Sequence, residues 1–272
     1  MGELTIGGDG GALSAEQAGE GIPVVLLHGL TATRRYVLMG SRALERSGHR
    51  VVAYDARGHG RSAPAPAPTA YGYADLAGDL QRVLDAAGAE RAVLVGASMG
   101  AHTVVRFALD HPGRVLAAAL ITPAYDPAAP GDPAALARWD ALAAGLRSGG
   151  VDGFLAAYGE PEVPERWRET VMTVLRQRLS QHEHPAAVAD ALQAVPRSRP
   201  FATWDELGAI AAPTVVVASR DEADPGHPYA VAEAYARGLR GARLVSEEPG
   251  RSPLAWQGGQ LSRVVAELAA SR

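Results

Sequence analysis

The residues best placed to do chemistry lie in VLVGASMGAHTVV, positions 93–105. Ser98 stands between Gly96 and Gly100 in a G-x-S-x-G pattern, after the apolar run 93–95 and before a segment with helical spacing. In that setting a sharp strand-to-helix turn holds the serine hydroxyl out of a sheet edge, and the glycines let backbones approach closely. Such a serine is a candidate nucleophile toward a carbonyl carbon. It needs a neighbouring base to take its proton and donors for the oxyanion that forms on attack. The amide of Met99 is one candidate donor, because the first N–H groups of a helix lack intrahelical partners and the helix dipole favours negative charge there. The plainer alternative is a tight turn carrying a solvated serine.

The elements that must position this turn are legible as an alternation. Residues 22–27 and 115–121 are continuous apolar runs of the kind found in strands covered on both faces, and 50–54 reads as a third buried strand. The stretches 3–20, broken by glycines, suit a pair of short antiparallel strands. Helical spacing is expected from about 35 to 47, from 73 to 87, and after Ser98 to about 110, before Pro112. Between 55 and 62 lies the loop DARGHGRS, followed by an extended Ala/Pro segment at 63–68. The alternation breaks at 124. From there to about 205 the pattern is helical only, with stretches at 133–147, 151–158, 164–179 and about 186–194. It then resumes with strands at 214–218 and 242–246 and helices at 228–239 and about 254–270.

Four features coincide in order: His28-Gly29 ending a strand, DARGHGRS after the next, GASMG after a third, and Asp-Pro-Gly-His-Pro (224–228) after a late strand. Together they resemble the α/β-hydrolase fold superfamily over essentially the whole chain. The resemblance implies an α/β fold with a mostly parallel, eight-stranded sheet flanked by helices. It also implies a core formed by 1–123 and 206–272, with an inserted helical cap, or lid, at 124–205. A second oxyanion donor follows from it, the amide of Leu30. The side chains of Leu30 and Met99 then become pocket wall.

The family places a carboxylate after the strand matched by 214–218. Asp224 and Asp221 both fit the usual spacing to a proline; Asp224 is preferred because Pro228 begins the amphipathic helix. Asp126 holds an alternative acid position, and each of the three could instead be a turn or capping residue. The histidine departs from the pattern. Relatives usually supply it between the last strand and last helix, where this chain has Arg251, and arginine stays protonated near neutral pH. His227, in the loop of the candidate acid, is the provisional base. The alternatives are a degenerate hydrolase, or a pocket kept for binding a small carbonyl ligand. His102, one helical turn beyond Ser98, and Arg34, near a substrate carboxylate or similar anion, are candidate substrate-binding residues. His28 and His59 match positions that support loop structure. Trp139, Phe154, Tyr158 and Trp167 are candidates for an apolar lid or for packing between cap helices.

Bulk properties narrow the classes. The 272 residues carry a formal charge of -4, with 47% hydrophobic and 21% charged residues, near the averages for soluble globular chains. No basic face points to nucleic acid, and no apolar run suits a membrane. The absence of cysteine excludes disulfides, thiolate metal sites and a cysteine nucleophile. No histidine or carboxylate spacing suggests a metal. The expectation is a cytoplasmic, cofactor-independent hydrolase of a small ester or related carbonyl compound, with substrate identity and oligomeric state left open.

Overall fold

Strands form where β-branched residues run continuously, and their side chains divide between two faces. The computed structural model describes residues 2–129, 131–247 and 256–271. Its eight strands are β1 (Gly2–Ile6), β2 (Leu13–Ala18), β3 (Ile22–Leu27), β4 (His49–Tyr54), β5 (Ala92–Ala97), β6 (Val115–Ile121), β7 (Thr214–Ala218) and β8 (Arg243–Ser246). They lie in the order β1-β2-β4-β3-β5-β6-β7-β8. β2 is antiparallel to both β1 and β4, and every other pairing is parallel.

Alternate residues of the central strands pack in opposite directions. Val25, Leu27, Leu94, Leu120 and Val216 meet Leu80 and Val83 of α2 (Tyr73–Ala86), Val104 and Phe107 of α3 (Met99–Asp110) and Tyr235 of α7 (Tyr229–Gly238). Val24, Leu26, Val93, Val95 and Val217 meet Leu261, Val265 and Leu268 of α8 (Gly258–Ala270). The period of two thus builds two apolar layers around one sheet.

The helix expected from about 35 to 47 does not form. The chain makes a 3-10 turn at Arg34–Tyr36 and a single helical turn, α1 (Ala43–Arg46). Met39 (φ 48°) and Gly40 (φ 73°) are left-handed in succession, which interrupts a right-handed helix, and Gly40 N–H closes back on the Arg35 carbonyl. Elsewhere the elements fall close to their expected positions.

Between β6 and β7 the chain is helical: α4 (Pro133–Tyr158), α5 (Glu165–Leu179) and α6 (Pro185–Ala194). α4 breaks at Gly150 (φ 59°), giving two arms that cross where a Cβ on Gly145 would stand 2.4 Å from the Gly153 carbonyl oxygen. Leu142, Leu146, Phe154, Leu179, Val188 and Leu192 form a core of their own. α6 then packs on the sheet domain through Ala187, Ala191 and nearby Val195, against Met99, Tyr71 and Tyr73.

Candidate active site

β5 ends at Ala97, and the next residue takes a conformation that L-amino acids avoid: Ser98 has φ 52° and ψ -114°. Strain of this kind costs on the order of 1–3 kcal/mol and persists only when the surroundings impose it. Here they do. The Ser98 N–H donates to the Ile121 carbonyl at 2.9 Å, and the His102 N–H to the Ser98 carbonyl at 3.1 Å. A Cβ on Gly96 would lie 2.3 Å from the Gly100 backbone, and one on Gly100 would lie 2.2 Å from the Leu27 carbonyl oxygen. The two glycines of the motif are therefore fixed by backbone contact.

His227 Nε2 lies 2.9 Å from Ser98 Oγ. On its other side, Nδ1 lies 2.7 and 2.8 Å from the two carboxylate oxygens of Asp224. Nδ1–H facing the carboxylate leaves Nε2 free to accept from the serine hydroxyl. Asp224 and His227 are the ends of one β-turn, with Pro225 and Gly226 between them and the His227 N–H donating to the Asp224 carbonyl at 3.3 Å. Burial pushes the Asp224 carboxyl up, but the hydrogen bond and charge of His227, with the charge of Arg178, leave it below its ordinary value.

The other two carboxylates serve turns. Asp221 accepts from the Ala223 N–H at 2.7 Å, and Asp126 from the Ala128 N–H at 2.8 Å. Burial, the largest effect, raises the Asp221 carboxyl, with repulsion from Asp224 in the same direction. Arg251 lies outside the described residues.

Met99 shares an apolar cluster with Ala187 and Ala191 of α6, and Leu30, partly buried, packs against the same cluster. Met99 opens α3, so its N–H has no intrahelical acceptor. The Leu30 amide is oriented by its neighbours. His28 Nε2 accepts from the Ala56 N–H at 2.9 Å, which puts the ring proton on Nδ1, donating to the Gly29 carbonyl at 2.8 Å. The same carbonyl accepts from the Ala32 N–H at 3.0 Å. In a trans peptide the following N–H points the opposite way, away from His28. Gly29 itself borders Ser98, since a Cβ there would be 3.4 Å from Ser98 Cβ.

Two candidate substrate-binding residues have other partners in the structure. Arg34 does not face the serine: its guanidinium bonds Asp55 Oδ2 and Ser14 Oγ and lies 3.8 Å from Glu16, on the β2–β4 side. Its charge is committed to holding the DARGHGRS loop. His102 is 5% exposed and has both ring nitrogens in use. Nε2 accepts from the N–H groups of Ala124 and Tyr125, at 2.9 and 3.0 Å, and Nδ1–H meets the Tyr73 hydroxyl at 2.9 Å. Burial, reinforced by nearby His227, pushes its pKa down to about 3. Its neutral ring is held by Tyr73 and by the backbone at Ala124 and Tyr125.

His59 and His182 also tie loops together. His59 Nε2 lies 2.7 Å from the Leu30 carbonyl, while His182, just after α5, accepts at Nδ1 from the Gly60 N–H at 2.8 Å. His182 Nε2–H faces the Thr31 carbonyl at 3.3 Å. No local signal in the chain marks His182 for this contact, because its partners are more than 120 residues away. Of the aromatic residues that are candidates for an apolar lid or for packing between cap helices, Phe154 is buried in the core of α4–α6, and Trp167 Nε1 donates to Glu222 in the Asp224 loop at 3.0 Å. Arg178 was not foreseen either: burial lowers its pKa, and its charge is felt at Asp224. Among the described residues no group of three or more His, Cys, Asp or Glu is arranged to hold a metal, and no helix is long and apolar enough to cross a membrane.

The sheet order, the strained serine turn and the helical layer before β7 agree with a match to the alpha/beta hydrolase fold family over residues 22–250. The chain belongs to this family. Among curated relatives of this hydrolase-fold protein is one from Variovorax paradoxus (strain S110) named as a carbamate hydrolase, RutD. It is 33% identical over 227 residues, covering 83% of this chain and 82% of the relative. Similar solved structures include a thermophilic esterase from Thermogutta terrifontis, with TM-score 0.78, 26% identity and coverage of 100% and 99% of the two chains. The N-acyl homoserine lactone degrading enzyme Est816 has TM-score 0.73, 28% identity and 99% coverage of both chains. These homologues are hydrolases.

Proposed function

We propose that this protein is a cofactor-independent serine hydrolase of a small ester or related carbonyl compound, with Ser98 as nucleophile, His227 as base and Asp224 as the carboxylate that orients it. The observation that carries the reading is the 2.9 Å approach of His227 Nε2 to Ser98 Oγ, with both Asp224 oxygens on the opposite ring nitrogen. His227 takes the Ser98 proton as Oγ attacks the carbonyl carbon, and Asp224 stabilises the imidazolium. The oxyanion develops against the amides of Leu30 and Met99, each donor of this kind being worth about 3–4 kcal/mol in the transition state. His227 returns the proton to the leaving alkoxide, and a water repeats the sequence to release the acid. Segment 124–205 acts as a cap over this reaction, supported by the packing of α6 on Leu30 and Met99. The relatives named for carbamate, ester and lactone chemistry share attack on an acyl carbon, and this is the substrate class proposed here.

The test is covalent labelling with a fluorophosphonate, followed by peptide mapping. Stoichiometric modification of Ser98, abolished in Ser98→Ala and reduced at least a hundredfold in rate in His227→Ala, is expected. An unlabelled Ser98 in folded protein, beside an esterase control that labels, would reject the reading in favour of a ligand-binding pocket.

A further inference from the structure

α5 bears four arginines, and three of them are paired on the surface: Arg166 with Glu222, Arg168 with Glu160 and Arg176 with Asp152. Arg178, in the last turn, differs. Its Nε is shut off from solvent with no hydrogen-bond partner, and no carboxylate among the described residues lies within ion-pair distance. Its guanidinium carbon stands 5.4 Å from the centre of the Tyr36 ring, just beyond the loop of Gly29 and Leu30. His182, four residues on, bonds the Thr31 carbonyl in that loop, so the end of α5 is pinned beside the candidate oxyanion donors. The charge of Arg178 is felt at Asp224, whose pKa it lowers, but the two form no ion pair, and both Asp224 oxygens face His227 Nδ1.

A buried Nε–H without an acceptor is costly, and the Tyr36 face offsets only part of that cost, while the terminal nitrogens of Arg178 are not shut off from solvent. The terminal nitrogens of Arg178 form a planar fork matched to a carboxylate. Ser98, His227, Tyr36 and Arg178 are each partly exposed, so neither the proposed nucleophile nor the Arg178 side chain is sealed within the described residues.

We infer that Arg178 recognises the substrate, taking the free carboxylate of an ester that carries a second, unesterified acid group. This rests on the proposed hydrolase reading for turnover but not for binding. Arg178 touches no reacting atom; it sets which ester is held.

The experiment compares charged and neutral esters in wild type, Arg178→Gln and Arg178→Lys. One pair is mono-4-nitrophenyl glutarate against 4-nitrophenyl valerate, with the carboxylate on the acyl side. The other is 4-acetoxybenzoate against 4-tolyl acetate, with it on the alcohol side. For at least one pair, the charged-to-neutral ratio of kcat/KM should drop about 10- to 100-fold in Arg178→Gln, through KM, with partial retention in Arg178→Lys. Ratios that move less than threefold for both pairs overturn the inference, as does an equal loss on charged and neutral esters, which would make Arg178 only a support for Asp224. If no ester is turned over at all, the hydrolase reading fails separately. Calorimetric binding of monomethyl glutarate, expected in wild type and at least tenfold weaker in Arg178→Gln, then decides the inference alone; no binding, or equal binding in both, overturns it.

Discussion

The proposed acid and base sit three residues apart in one turn, so Pro225 and Gly226 set their relation before any tertiary contact forms. What the rest of the fold must supply is the approach of that turn to Ser98, at 2.9 Å. Replacing His227 by Ala should lower kcat on an activated ester by about 10⁴- to 10⁶-fold, and Asp224→Asn by about 10⁴-fold, the scale seen when a serine triad loses its base or its orienting carboxylate. Asp221→Asn should leave kcat within threefold, because Asp221 caps its own turn at Ala223. Equal losses at Asp221 and Asp224 in steady-state assays would remove the distinction between them. In sequence, Ser98 and Met99 stand out as candidates because the motif and the helix start are contiguous. His227 stayed one of several alternatives, since no periodicity states where a loop histidine points. The pairing of Arg34 was not legible for a related reason: Asp55, 21 residues away, meets it only once β3 and β4 lie side by side.

At the scale of elements, the hydrophobic alternation determined most of the strands and helices because each must present one period to one layer. It did not foresee the loss of the helix at 35–47, where the apolar spacing is present but two left-handed residues interrupt it. The Ser98 turn shows the opposite balance, with geometry enforced by backbone contact. Gly100→Ala would bring a Cβ within 2.2 Å of the Leu27 carbonyl oxygen, which has no side-chain freedom to yield. α3 and β3 must separate, at a cost of about 1–3 kcal/mol or more. Because Leu27 leads directly into His28 and Gly29, the same shift moves the Leu30 amide relative to Ser98, so turnover should fall as well. Gly78→Ala, on the exposed side of α2 with nothing within 4 Å of the added Cβ, should instead stabilise by about 0.4–1 kcal/mol. Urea unfolding of the two variants checks both signs.

For the whole molecule, the most consequential charges are ones it keeps absent. His28, His102 and His182 are buried, and burial, with a neighbouring histidine adding to it, pushes each pKa down from 6.5 to about 3. Their tautomers are fixed by the N–H groups of Ala56, Ala124, Tyr125 and Gly60, which need an unprotonated ring nitrogen as acceptor. A depressed pKa in the folded state means that the unfolded chain binds these protons first. The stabilisation is therefore complete above pH 6.5 and is lost as pH falls toward 3, at up to about 1.4 kcal/mol per pH unit for each histidine. Three such groups give at most about 4 kcal/mol per unit. Since two of them tie the Leu30 loop and the end of α5 together, stability and site geometry should fail on the same acid limb. Urea midpoints measured from pH 7 to 4.5 are expected to decline steeply, and His102→Gln, which keeps an acceptor but cannot titrate, should flatten the slope by about one proton. A wild-type midpoint that stays constant across that range would show that these imidazoles are not held neutral by the fold.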